Sequence, residues 1–338
     1  MVNDGIRRRN FRVKDLNVSG QTTGNIGTLQ TVGAGNTWYV DASQVTGASG
    51  DGSTWDEAVL TISEAVALAS RGDVIYIAAA DITDTTGDPT SYAETIIIPV
   101  ALDGLALIGI SRGRTQGGLP QIKIGAGATA MLTIRAPGCL IANLGFNGIS
   151  SLGGGVLLDD DYSTKSAFGT TITSCHFKNC SKHATNGKLG GAIMWSATGN
   201  AWQVTISDCQ FYKNLTDICV IGTSSTVPQD VIIEDCVFSA SALSTDVNIY
   251  SGGSGFGGGL IINNCVFPKQ PNITSGSVAR FTDITCYGTG GTGILSNCVF
   301  GAAGTTAGYG AAKTVAKIGT TIELCHNYSD AGLIVREA

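Results

Sequence analysis

The chain has 338 residues, a formal net charge of −6, only 14% charged residues and 47 glycines. The acidic balance gives no basis for general nucleic-acid binding, and with no 18-residue apolar run no membrane-spanning helix is expected. Low charge with abundant Gly, Thr, Ser and Asn fits an all-β chain with many tight turns.

Residues 1–35 stand apart. Arg7, Arg8, Arg9, Arg12 and Lys14 against Asp4 and Asp15 give this segment +3, so the remainder carries −9 of the total −6. It has no apolar h-region, and no secretory signal is expected. A polar segment of this kind does not order by itself. It is read as an extended arm that attaches the chain to a larger particle, with the five basic residues making the contact. A solvated leader and a nucleic-acid contact of the Arg run are the other readings.

From residue 36 onward a single domain to residue 338 is expected. Trp38-Tyr-Val-Asp41 reads as a first strand. Thr54 and Glu57 form a capping box, and Trp55, Ala58, Val59, Ile62, Val66 and Ala69 follow at helical spacing. This predicts a helix over about 55–71, closed by Gly72. Val74–Ala78, Thr95–Ile98, Leu105–Ile110, Ile122–Ile124, Met131–Ile134 and Leu140–Phe146 then read as short strands.

Beyond residue 170 the chain repeats itself. Val231-Ile-Ile-Glu-Asp-Cys-Val-Phe238 is preceded by Val204-Thr-Ile-Ser-Asp-Cys-Gln-Phe211. Leu260-Ile-Ile-Asn-Asn-Cys-Val-Phe267 and Gly293-Ile-Leu-Ser-Asn-Cys-Val-Phe300 follow it. Weaker copies lie at 170–177 and 320–327. The cysteines Cys175, Cys209, Cys236, Cys265, Cys298 and Cys325 are 34, 27, 29, 33 and 27 residues apart. Within a copy Val231 and Ile233 alternate, and so do Cys236 and Phe238, but the phase slips between the pairs. That slip is a corner, made by Ser207-Asp208, Glu234-Asp235, Asn263-Asn264 and Ser296-Asn297. A cornered, strand-forming repeat of about 30 residues describes one coil of a parallel β-helix.

With these motifs the chain resembles the right-handed parallel β-helix proteins, pectate-lyase-like folds found among phage virion and tailspike proteins. The resemblance covers roughly residues 36–338. It rests on the repeated coil and on the lead-in Gly52-Ser-Thr-Trp-Asp-Glu-Ala58, helix, Gly72-Asp-Val-Ile-Tyr-Ile77, Tyr92-Ala-Glu-Thr-Ile-Ile-Ile-Pro99. The expected fold is all-β: a single-stranded solenoid of nine to ten coils, about 40–50 Å long, with an N-terminal capping helix.

Stacked coils place equivalent cysteines about 4.8 Å apart, beyond the usual disulfide reach of roughly 3.5–4.5 Å between Cβ atoms. A ladder of buried thiols is therefore expected, with Cys139, Cys180, Cys219 and Cys286 buried off the ladder. No metal site or cofactor is expected, since no Cys-x-x-Cys pair exists and there are three His. Asp208 and Asp235 could lie at the spacing of a glycosidase pair, but Asn264 and Asn297 occupy the same corner, which favours a hydrogen-bonded ladder. Asp159-Asp-Asp161 reads as a solvated loop, with Ca²⁺ ligation the alternative. His176 and His326 are expected to point outward, five coils apart. No catalytic residue is assigned, and the evidence for an enzyme is thin.

The outward stripes turn apolar over three coils, at Ile232, Ile261 and Ile294 and at Val237, Val266 and Val299. Such a patch marks an interface, and a closed homo-oligomer, a trimer as in many β-helix spikes, would bury it; the other reading is that the Gly-rich loops fold back and cover it. The resulting expectation is a bacteriophage structural protein, made in the host cytoplasm and carried in the virion as a capsid decoration or fibre-like element. Its partners would be other capsid or tail proteins. One alternative is a tailspike that binds or depolymerises host surface polysaccharide, with Trp195 and Trp202 as sugar platforms. Another is a bacterial surface adhesin.

Overall fold

The computed structural model describes residues 35–43, 49–79, 92–110, 118–124, 129–148, 153–159, 166–180, 191–196, 201–220, 228–239, 249–251, 256–267, 284–286, 292–300, 316–318, 322–329 and 332–333. Arg7, Arg8, Arg9, Arg12 and Lys14 lie outside these residues.

The strands are short because the chain turns a corner every few residues. Three long sheets result, one on each side of the coil. Sheet A has ten strands, from Thr37–Val40 to Ile322–Cys325. Sheet B has ten, from Tyr92–Glu94 to the closing pair Tyr328–Ser329 and Gly332–Leu333. Sheet C has eight, from Ile96–Ile98 to Ala316–Ile318. Among the described residues every pairing is parallel except that last one, which is an antiparallel hairpin. The chain is thus a right-handed parallel β-helix, the hand that parallel crossovers take.

The corner between sheets A and B explains the phase slip. Asn143, Ser174, Asp208, Asp235, Asn264, Asn297 and His326 all sit in the left-handed region, at φ of 52–55°. Asn and Asp tolerate that region better than most residues. The corner N–H groups climb from coil to coil: Asp208, Asp235 and Asn264 donate to Glu234 O, Asn263 O and Ser296 O of the next coil. The expected side-chain ladder is present too. Asn264 Nδ2 donates to Asp235 Oδ1 at 2.5 Å, and Asn297 Nδ2 to Asn263 Oδ1 at 2.9 Å.

A second left-handed column marks the corner from sheet C to sheet A. Gly72, Gly104, Gly138, Gly169, Gln203, Asp230 and Gly259 form it. Their N–H groups climb coil to coil, as from Gly104 to Pro137 O at 2.8 Å. Gly72 therefore begins this column and does not close the helix.

Inside, one residue per coil repeats in register. The rings of Phe146, Phe177, Phe211, Phe238, Phe267 and Phe300 stack nearly parallel, with centroids 4.7–5.2 Å apart. Beside them runs the thiol column Cys175, Cys209, Cys236, Cys265 and Cys298, all buried. Cys236 Sγ and Cys298 Sγ donate back to Glu234 O and Ser296 O, at 3.1 and 3.2 Å. None of the nine cysteines whose side chains are described is disulfide-bonded. Burial pushes the Cys139 and Cys219 thiols up to about 12, so these are inert apolar groups.

The last coil corrects the sequence alignment. Leu295 pairs with Leu324 and Ser296 with Cys325, so Cys325 is an outward, half-buried residue two positions off the ladder. Asn327 takes the ladder place and is fully buried. It accepts from Cys298 N at 3.0 Å and donates to Leu295 O at 2.8 Å. A polar side chain that satisfies the backbone of the preceding coil thus replaces the thiol.

The capping helix is shorter than expected, spanning Ile62–Leu68 rather than 55–71. Two capping boxes compete in the sequence, and Thr61 with Glu64 is the one that forms. Thr54 still accepts from Glu57 N, at 3.2 Å, within a turn, and Trp55 is 39% exposed. Ile62, Ala65 and Val66 cover the first coil's interior. Glu94 of sheet B fixes the helix there, accepting from Ile62 N at 2.9 Å and Ser63 N at 2.8 Å.

Candidate functional site

With the inward rows filled by apolar packing, chemistry falls to the outward rows. The register builds each row from residues about 30 positions apart.

The apolar rows lie where the sequence placed them. On sheet A, Ile232 pairs with Ile261 and Ile261 with Ile294. On sheet B, Val237 pairs with Val266 and Val266 with Val299. Ile261, Val266 and Val299 are exposed, Val299 by 48%, while Ile232, Val237 and Ile294 are half-buried. Tyr328, also exposed, extends the valine row by one coil. The two rows flank the left-handed corner, so the patch wraps an edge of the solenoid rather than lying on one plane.

The corner carboxylates are spent on structure. Asp235 accepts from Asn264, and both Asp208 and Asp235 hold left-handed backbone. Asp159 pairs with Arg135, Nε to Oδ2 at 3.1 Å, while Asp160 and Asp161 lie outside the described residues. Among the described residues no three His, Cys, Asp or Glu side chains converge on a common point.

Of the two expected aromatic platforms, only Trp202 reaches the surface. Trp195 points inward and is fully buried, donating Nε1–H to Ala201 O at 2.9 Å and meeting Phe256 edge-on. It cannot face a ligand. Trp202 is partly exposed and packs edge-on against Phe168, centroids 5.7 Å apart. A cluster unremarked in the sequence sits on the outer face of sheet A, at the capped end. Tyr39 meets Trp55 at a tilt of 60° with centroids 4.7 Å apart and lies 6.1 Å from Tyr76. Only the pairing of Tyr39 with Tyr76 reveals this, since 37 residues separate them.

His176 is the other surprise. It is on the outer face of sheet B, as expected, but only 7% exposed. Desolvation, helped by the nearby Lys178 ammonium, lowers its pKa to about 4.

No protein-family model matches the chain, and no curated protein matches it in sequence. Among solved structures it is similar to a GH136 lacto-N-biosidase from Eubacterium ramulus, with 9% identity and a TM-score of 0.47. That match covers 87% of this chain and 56% of the biosidase, so the chain spans a little over half that enzyme's length. It is also similar to a pectin methylesterase in complex with hexasaccharide VII, with 12% identity, a TM-score of 0.42, and 88% and 91% of the two chains covered. A third likeness is to pectate lyase Pel9A, with 12% identity, a TM-score of 0.37, and 87% and 77% covered. The chain's three sheets, corner columns and inward stacks make it a right-handed parallel β-helix.

Proposed function

We propose that this chain is a structural protein of a bacteriophage particle. In this reading it is a stiff, self-associating β-helix, held to the particle by the basic arm and displayed as a capsid decoration or fibre-like element. The supporting observation is the coincidence of two outward apolar rows, Ile232–Ile261–Ile294 and Val237–Val266–Val299, over the same three coils. Neither row contributes to the inner core, and association would remove both from water. A wedge-shaped contact wrapped around an edge suits packing about a rotation axis, and a trimer is the closed form proposed.

The test is the mass of the purified protein by light scattering. The native chain should be oligomeric, and Ile261→Asp with Val266→Asp should release monomers with unchanged circular dichroism. A native chain that is already monomeric, or a variant of unchanged mass, removes the reading. Virion residence is tested by quantitative mass spectrometry of purified particles from the source, where the chain should be present at many copies per particle.

A second reading, binding of surface polysaccharide, has its own support in the Tyr39–Trp55–Tyr76 cluster. Partly exposed, mutually tilted rings offer an apolar surface against which sugar rings pack. Under it, Trp55→Ala should weaken retention on immobilised host polysaccharide at least tenfold, while Trp195→Phe should not. Equal retention of both variants excludes this surface.

A further inference from the structure

The last described coil breaks a pattern that the coils before it keep. On the ridge between sheets A and B the corner pairs are Ser207-Asp208, Glu234-Asp235, Asn263-Asn264 and Ser296-Asn297. Register puts Cys325 beside Ser296, and His326 takes the left-handed place of Asn297, at φ 52°. A thiol and an imidazole thus stand where the other coils carry hydroxyl, carboxylate and amide groups.

The fold does not call for either side chain. Asn327, not Cys325, fills the ladder position inside, and Asn holds this corner in the two preceding coils. His326 is exposed and Cys325 half-buried; of the nine cysteines whose side chains are described, Cys325 alone is not buried. The two side chains meet, with Cys325 Sγ 3.3 Å from His326 Nδ1. On a tetrahedral zinc ion, with Zn–S of about 2.3 Å and Zn–N of about 2.0–2.1 Å, two such ligand atoms stand roughly 3.5 Å apart. The pair is therefore spaced as a two-point zinc ligand. Glu323, exposed and two residues earlier in the same strand, adds negative charge to that face.

One copy brings two ligands, and among the described residues no third His, Cys, Asp or Glu joins them. A closed zinc site takes four. The place of the pair on the solenoid says where the others come from. Ile294 pairs with Glu323 and Val299 with Tyr328, so the pair lies on the ridge between the two apolar rows, one coil beyond them. Rotation about an axis holds equivalent residues of the copies at one height, and a contact made along this ridge sets their pairs side by side.

We infer that Cys325 and His326 form half of a zinc site shared between copies of this chain, completed by the same pair of a neighbouring copy as two thiolates and two imidazoles. The inference rests on the self-association proposed above. Thiolate and imidazole ligands suit zinc and not magnesium or calcium. The ion bridges the copies at the ridge, and the thiols release their protons as it binds.

The experiment titrates Co²⁺, then Zn²⁺, into untagged, reduced, full-length protein and reads the absorption spectrum, while light scattering gives the mass. The expected result is a thiolate-to-cobalt charge-transfer band with intense tetrahedral bands in the visible, saturating at no more than one ion for every two chains and erased by Zn²⁺. Cys325→Ser and His326→Asn restore the Ser-Asn corner of the preceding coil, which keeps the fold. Each should weaken binding by more than about tenfold, and Cys325→Ser should remove the charge-transfer band. The buried ladder thiols remain in both variants and serve as the control. Ile261→Asp with Val266→Asp keeps the pair but separates the copies, and should weaken binding as much. An oligomeric native chain with no cobalt spectrum, or with one that Cys325→Ser leaves unchanged, overturns the inference while the association stands. Saturation at one ion per chain overturns the sharing. A native chain that is monomeric with and without metal removes the association, and the shared site with it.

Discussion

The ring stack makes a quantitative prediction about how stability is distributed. Phe238 is fully buried, with Phe211 at 4.9 Å on one side and Phe267 at 4.7 Å on the other. Phe238→Ala removes the ring from a close-packed interior, and cavity formation of this kind costs about 4 kcal/mol. Part of that cost belongs to the two stacking contacts, each worth about 0.5–1.5 kcal/mol beyond burial. The double variant Phe238→Ala with Phe267→Ala loses their shared contact only once. Its destabilisation should therefore fall short of the summed singles by about 0.5–1.5 kcal/mol. Phe146 and Phe300 lie five coil steps apart, roughly 24 Å, and their double variant should be additive to within about 0.5 kcal/mol. The assay is urea unfolding followed by far-UV circular dichroism, with the variants' m-values compared first. A coupling equally large for the distant pair would refute nearest-neighbour packing as the source of stability. A Phe238→Ala cost below about 1 kcal/mol would refute the stack as core.

Four further outcomes are expected. His176 has a folded pKa near 4 against an ordinary 6.5, so its neutral form is the one the fold favours. Its stabilising contribution is complete above pH 6.5 and is lost as pH falls from 6.5 through 4. The loss approaches about 3 kcal/mol, discounted for partial exposure. Lys178 on its own strand and Lys123 and Tyr212 on strands of the same sheet are the titratable side chains of described residues that line this face. Urea unfolding of His176→Gln between these pH values should show a shallower acid loss than the native chain, and parallel curves would count against the assignment. Glu94→Gln weakens the acceptor that holds Ile62 N and Ser63 N, and should cost about 1 kcal/mol of urea stability. Asn327→Leu leaves Cys298 N–H and Leu295 C=O without their partner, so amide exchange at Cys298 should accelerate while exchange at Cys209 stays unchanged. Removing residues 1–30 should leave the circular dichroism intact and abolish binding to particles lacking the chain; persistent binding would sink the arm.

The coil was legible because inward Ile, Cys and Phe recur at one fixed spacing, with Asn or Asp at the corner. Sheet C was harder to see. Its strands Ile193–Trp195 and Ile218–Val220 carry no shared marker and lie between loops of unequal length. Cys325 was misaligned because identity was matched before phase, and Leu324 with Asn327 carries the true register. The helix start was misjudged because Thr54 and Thr61 both precede a glutamate by three residues, and tertiary capping by Glu94 favours the second. Outward rows were only half legible. The valine and isoleucine rows follow from the repeat itself. The Lys123–Asn147–Lys178–Tyr212 row needs coil-to-coil register in the irregular early coils, where neighbours stand 24, 31 and 34 residues apart. His176 was rightly placed outward, but its burial depends on what folds over it, which periodicity does not encode.

The matching left-handed corners make the length of this molecule adjustable. Asp235 and Asn264 share the same φ to within 2°, and the residues around them pair one for one. Excising residues 236–264 would join Asp235 to Cys265 in phase, with one ring, one thiol and one corner fewer. Because each coil meets only its neighbours, the joined ends face partners of the kind they already had. A recombination event within the coding sequence could therefore shorten or lengthen the rod by about 4.8 Å per coil without redesigning its interior. Reach would then vary among descendants in whole-coil steps, independently of whatever the surface binds.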